Sequence, residues 1–205
     1  MVSSYPVQFD VDFPARPLDR LTTGFRIIVA LPILFLIGVL TSDAVDGSHH
    51  MTFTFASGAG LLFLPLLLMI LFRQKYPRWW FDWNINVLRF SNRVTAYLAL
   101  LDDRYPSTDE EQSVHLNFDY PDARQLNRWL PLVKWFLAIP HYVVLFFLVI
   151  GAAVAIIVAW FAILFTGRYP HNLFNFVVGV LRWSNRVNGY AFLLVTDQYP
   201  PFQLS

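Results

Sequence analysis

The dominant constraint on this chain is that its sequence is written twice. "VQFDVDFP" (Val7–Pro14) returns as "VHLNFDYP" (Val114–Pro121), and "LDRLTTGFRIIVALP" (Leu18–Pro32) returns as "LNRWLPLVKWFLAIP" (Leu126–Pro140). The stretch Phe72–Pro106 returns as Phe165–Pro200, and within it "VLRFSNRVTAY" (Val87–Tyr97) is a near copy of "VLRWSNRVNGY" (Val180–Tyr190). Blocks that match in the same order define two units, residues 5–106 and 114–205, joined by the acidic, polar linker 107–113. A repeat of this length points to one supersecondary unit used twice.

The solvent for that unit follows from composition. Hydrophobic residues make up 56% of the chain and charged residues 14%, against about 25% charged in ordinary soluble domains. Because the apolar residues fall in long runs, membrane insertion is the first reading. The 18% aromatic content suits a protein that meets the headgroup layer. A formal net charge of +1 gives no reason to expect nucleic acid as a partner. With no cysteine, disulfides, thiolate metal sites and cysteine nucleophiles are excluded. The start, "MVSSYPVQFDVDFP", lacks a basic segment followed by an apolar core, so no cleavable signal peptide is expected.

In the first unit two apolar stretches, Thr22–Leu40 and Thr52–Phe72, flank the polar turn "TSDAVDGSHH". Each is about 20 residues, or about 30 Å as helix, one hydrocarbon thickness. In the second unit no charge separates Lys134 from Arg168. One helix over that length would be about 50 Å long, too much for a single upright span, so two short spans turning near Gly151 are expected. The expectation is thus an α-helical integral membrane protein with four transmembrane helices as two hairpins. All 15 Lys and Arg residues then fall on one side or at its membrane edge, where Arg26 and Lys134 can snorkel. By the positive-inside rule the protein is multi-pass with both termini cytoplasmic. Pro32 and Pro140, inside the first span of each unit, are expected to set kinks.

The two polar knots resist burial in lipid, because an intramembrane Arg costs about 2.5–3.5 kcal/mol. Asp82, Asn86, Arg89 and Arg93 fall at helical spacing, as do Asn175, Gly179, Arg182 and Arg186. Each set makes one polar stripe on an otherwise apolar helix. Two interfacial amphipathic helices follow, with Arg89, Asn92, Arg93, Arg182, Asn185 and Arg186 as the candidate headgroup contacts. Anionic phospholipid is the implied ligand, and plain interfacial anchoring is the simpler alternative. The unit starts alternate apolar and polar residues, which is strand-like, and the segments after the knots look extended. These edges are expected to pair into a small cytoplasmic β element. Asp12 and Asp119 are placed either to meet knot arginines or to face solvent.

Motifs that would carry chemistry are missing. No Walker loop, dinucleotide fingerprint, zincin motif or nucleophile elbow occurs, and the expected spans hold no carboxylate, so no catalytic residue and no cofactor are assigned. His49 and His50 sit together in the outer turn, where an exposed polar turn is a simpler account than a metal site. His141, inside an expected span, is a candidate functional residue by position; its repeat counterpart is Ile33.

The stretches "YPVQFDVDFP", "FLAIPHYVVL", "AWFAILFTGRYP", "VVGVLRWSNRVNGY" and "TDQYPPF" resemble a bacterial membrane family catalogued as domain of unknown function 4389. The resemblance covers both units as tandem copies. It is closer in the second, since "RQKYPRWWFDWNINVLRFSNRV" departs from the glycine-containing form. It implies the bacterial inner membrane and no activity. The functional expectation is a non-catalytic accessory or scaffold subunit of a larger membrane protein complex that binds lipid. A small-molecule or lipid transporter is the alternative, and a cofactor-binding redox subunit a further one. Small residues such as "GAAVA" (Gly151–Ala155) suit close helix packing.

Overall fold

A computed structural model of the chain describes residues 5–41, 65–108, 110 and 112–205. The element order is β1 (Val7–Val11), α1 (Arg20–Gly24), α2 (Arg26–Thr41), α3 (residues 65–73, closing in the π-helical turn Met69–Arg73), α4 (Arg78–Leu98), β2 (Val114–Phe118), α5 (Pro131–Leu137), α6 (Ile139–Thr166) and α7 (His171–Ala191). The chain is mostly helical, with a two-stranded sheet. Of the described helices, α6 alone is long and apolar enough to cross a membrane.

Local chemistry sets the element ends. Pro77 and Pro170 stand in extended backbone just before α4 and α7, where a residue without a backbone donor leaves nothing unsatisfied. Gln74 (φ 45°) and Gly167 (φ 73°), at matched positions, take the left-handed conformation that stops α3 and α6. Glycine does this without steric cost, whereas Gln74 does it against its Cβ.

The strands pair antiparallel, Val7 opposite Phe118, Phe9 opposite Leu116 and Val11 opposite Val114. Each strand rests on a helix of the other unit: β1 lies along α7 and β2 along α4. The short α1 of the first unit likewise packs on α6 of the second, tied by Leu18 N–H to the Gly167 carbonyl (2.9 Å) and by Trp160 Nε1 to the Thr23 carbonyl (3.1 Å). The two units are therefore interlocked. One core cluster draws on both, joining Phe9, Leu116, Ala96 and Leu101 to Ala155, Ile163 and Phe174.

Contacts repeat where the sequence repeats. Arg89 Nε donates to the Leu116 carbonyl (3.0 Å), and its counterpart Arg182 donates to the Phe9 carbonyl (2.8 Å). Arg78 lies over the Tyr120 ring at 5.4 Å, while His171 stacks on Phe13 at 4.7 Å. With the strands antiparallel, each of these residues reaches the strand segment that the other half of the chain supplies.

Two expectations need correction. No turn occurs near Gly151: α6 is one continuous helix of 28 residues, about 42 Å long at 1.5 Å per residue. Gly151 lies against the Phe176 ring, which a Cβ there would meet at 3.4 Å, an ordinary packing distance, so the position is a helix–helix contact and not a turn. The second unit therefore has no two-span hairpin. The segments after the knots are not strands either, because Leu100 (φ 63°) and Leu194 (φ 53°) turn the backbone out of any extended run. The sheet forms from the unit starts alone. Pro140 falls in the first turn of α6 and α2 continues through Pro32. The expected span Thr52–Phe72 and the His49–His50 turn lie largely or wholly outside the described residues.

Candidate functional site

At the crossing of α4 and α7, Asn92 and Asn185 clasp each other. Asn92 Nδ2 donates to Asn185 Oδ1 (3.0 Å), and Asn185 Nδ2 donates to Asn92 Oδ1 (2.8 Å). Each also donates to the carbonyl four residues back, at Leu88 and Leu181, both 2.9 Å. The pair is buried, at 7% and 3% exposure. Each asparagine stands next to a stripe arginine in the sequence but outside the stripe itself, on a helix side that turns inward. Arg93 and Arg186 are buried as well. Arg93 Nη1 donates to the Ser107 carbonyl (2.8 Å), and Arg186 holds the C-terminal tail through the carbonyls of Ser205 (2.6 Å) and Gln203 (3.3 Å). Arg89 and Arg182 grip the strands, with Arg182 also pairing to Asp10 at 2.9 Å. The knots are thus internal ties between helix, sheet and tail. The four candidate headgroup arginines are tied to backbone carbonyls, with Arg89 and Arg182 half-buried and Asp82, Asn86 and Asn175 exposed beside them.

A second matched pair locks the helix starts. Arg26 Nη1 donates to the Asp102 carbonyl (2.7 Å) and stacks over Tyr97 at 4.2 Å. Lys134 Nζ donates to the Thr196 carbonyl (2.8 Å), lies 5.1 Å from the Tyr190 ring, and pairs with Asp197 at 2.7 Å. Neither cation snorkels: Arg26 is 3% and Lys134 0% exposed. Burial pulls the Lys134 ammonium below its ordinary value, with Asp197 acting in the opposite sense. The sequence signal for these clasps was the paired cation itself, and its buried carbonyl partner was not legible.

His141 is fully buried. Its Nδ1 accepts from Trp183 Nε1 (3.1 Å), and its ring stacks on Phe202 at 4.0 Å. The matched positions in the first unit are Ile33 and Phe90, packed in one apolar cluster. A hydrogen-bonded His–Trp pair thus stands where the first unit uses an Ile–Phe pair, which makes His141 a core residue.

A cleft of about 490 Å³ opens beside β1, lined by Asp12, Phe13, Arg16, Asp102, Asp103 and Ser113 among others. Its charges are paired off: Arg16 with Asp103 (2.7 Å), Arg104 with Asp102 (3.1 Å), His115 with Asp12 (3.0 Å). Asp12 therefore meets a histidine, and it is Asp10 that meets a knot arginine. Burial pushes the Asp102 carboxyl up. Hydrogen bonds from Ser113 and from the Arg104 backbone and guanidinium outweigh it, leaving the group below its ordinary value. Among the described residues no three His, Asp or Glu side chains come together to hold a metal ion.

With the polar groups spent on internal ties, the most extensive outward-facing chemistry is apolar. On α6 a stripe of His141, Leu145, Ala152, Ala155, Ala159 and Ile163 is buried, yet only 17% of the helix's most apolar stretch is covered by protein. Val143, Phe147, Ile150, Val154, Ile157 and Phe161 face outward. On α2, Ile27, Ile28, Leu31 and Phe35 do the same. Trp79, Trp129 and Trp135 add exposed aromatic rings near helix starts.

Residues 129–203 match the model of a family described as Domain of unknown function (DUF4389). No curated protein and no solved structure matches the chain.

Proposed function

We propose that this chain is a membrane-embedded, non-catalytic scaffold subunit built from two tandem copies of the DUF4389 unit. Acyl chains and a larger protein complex of the bacterial inner membrane cover its apolar helices. The observation that carries the reading is α6, which shows a continuous apolar surface to its surroundings along its length. Exposed apolar surface on that scale marks a membrane or protein interface. The internal use of the knot arginines supports a structural role for them. Contact with anionic headgroups then falls to exposed cations at helix ends, namely Arg20, Arg73 and Arg168, each worth about 1 kcal/mol near an anionic surface.

The test is extraction from native membranes in mild detergents followed by native electrophoresis and mass spectrometry. The chain is expected to migrate within a larger assembly and to retain phospholipid. Recovery of the isolated chain in every mild detergent would count against the scaffold role. Solute flux in reconstituted liposomes would favour a transporter instead, and haem or flavin absorption bands would favour a redox subunit.

A further inference from the structure

We infer that α6 lies along the membrane within one leaflet rather than across the bilayer; the inference rests on the membrane-embedded reading above and specifies how the chain is embedded. The Phe176 ring of α7 sits against Gly151, and Trp183 meets His141, so α7 runs beside α6. β1 runs beside α7 in turn. Val7 approaches Gly189, Phe9 and Asp10 bind Arg182, and Phe13 packs on His171 and Phe174. The sheet therefore lies alongside the length of the α6–α7 pair instead of capping one end of it.

Asp12, between Arg182's partners and Phe13, stands level with the middle of α6, as does its partner His115. Their side chains are 69% and 51% exposed. An upright α6 would carry this exposed carboxylate and imidazole to hydrocarbon depth, where ionisable groups are disfavoured unless they face a protein interior. A flat α6 leaves them in water, because α7 separates α6 from the sheet.

Length and charge agree with this. At about 42 Å the helix overshoots a hydrocarbon core of about 30 Å, yet along the surface its length is unconstrained. Exposed cationic groups flank both ends, with Arg128 before α6 and Arg168 and Arg20 after it. Lying flat, both ends meet one headgroup layer. α2 packs on α4, which carries β2, as α6 packs on α7, which carries β1, so the apolar surfaces of α2 and α6 together form one face turned away from the sheet. A helix with an apolar outer surface, held under a polar body, is the arrangement of an interfacial protein.

The chain has no native cysteine, so single-cysteine variants report sidedness cleanly. Arg128→Cys, Arg168→Cys and Asp12→Cys would each be treated with a charged, membrane-impermeant maleimide in sealed inverted vesicles and in intact cells, after an alkaline carbonate wash of a parallel sample. All three are expected to react from the same side, with at least a tenfold preference, and the chain is expected to stay in the washed membrane. Reaction of Arg128→Cys and Arg168→Cys from opposite sides would overturn the inference while leaving the embedded reading intact. Release of the chain by the wash would overturn both. Labelling of Asp12→Cys only after detergent is added would place the sheet in lipid and likewise refute the inference.

Discussion

Replacing Asn92 by Ala probes the interlocked fold at its centre. The change removes the bond to the Leu88 carbonyl and both bonds of the Asn92–Asn185 clasp, at 3.0 and 2.8 Å. Asn185 keeps its bond to the Leu181 carbonyl but is left at 3% exposure with an acceptor that nothing satisfies. A buried polar group stranded in this way costs about 1–3 kcal/mol, the broken clasp included, and the lost bond to the Leu88 carbonyl adds about 1 kcal/mol. The expected destabilisation for Asn92→Ala is therefore about 2–4 kcal/mol, with a similar value for Asn185→Ala. The double variant strands no partner in the clasp. Its cost should fall short of the sum of the singles by about 1–2 kcal/mol, the signature of coupled neighbours. Replacing both residues by Leu keeps the branched shape and removes the polar groups together, so it should be milder than either single Ala variant. Equilibrium unfolding of all five proteins in one detergent, followed by tryptophan fluorescence, supplies the values. Additive single costs would refute the clasp and with it the interlocking at this point.

Lys134→Ala breaks an ion pair that is fully buried on the lysine side; it should cost about 3 kcal/mol in the same unfolding assay, with Lys134→Met milder. Gly189→Ala places a Cβ at 2.6 Å from Val7 Cγ2 and 3.0 Å from Phe118; it should cost about 1–3 kcal/mol and raise amide hydrogen exchange in both strands. Asp102 has a folded value below that of an unfolded carboxyl, so its contribution is present above about pH 4 and lost as pH falls through the folded value. Thermal melts at descending pH should show Asp102→Asn starting less stable at neutral pH and losing less below about pH 4 than the native chain.

What could be read from the sequence was repetition, and what could not was direction. The matched cations Arg26 and Lys134, the matched knots and the strand-like unit starts all became matched contacts. The helical period placed Arg93 on a stripe and left Asn92 beside it, but periodicity does not say which side of a helix meets a neighbouring helix. Only the second copy, delivering Asn185 to the same place, makes a buried Asn92 tolerable. A long greasy run suggests two spans with a turn at Gly151, whereas that glycine sits mid-helix against Phe176. The extended look of the segments after the knots failed at Leu100 and Leu194, since positive φ in leucine has no sequence signal. His141 drew attention as a lone intramembrane histidine, whereas its partner Trp183 lies 42 residues away and shares no motif with it.

The claim beneath all of this is that acyl chains cover the outer face of α6. Single nitroxide labels at Val143, Phe147, Ile150, Val154, Ile157 and Phe161, in the chain reconstituted into bilayers, measure it directly through their collision rates with oxygen and with a water-soluble nickel chelate. The account predicts high oxygen and low chelate accessibility at all six positions, with Gln8 and Asp12 on the sheet giving the reverse. Chelate accessibility on α6 equal to that on the sheet would contradict it.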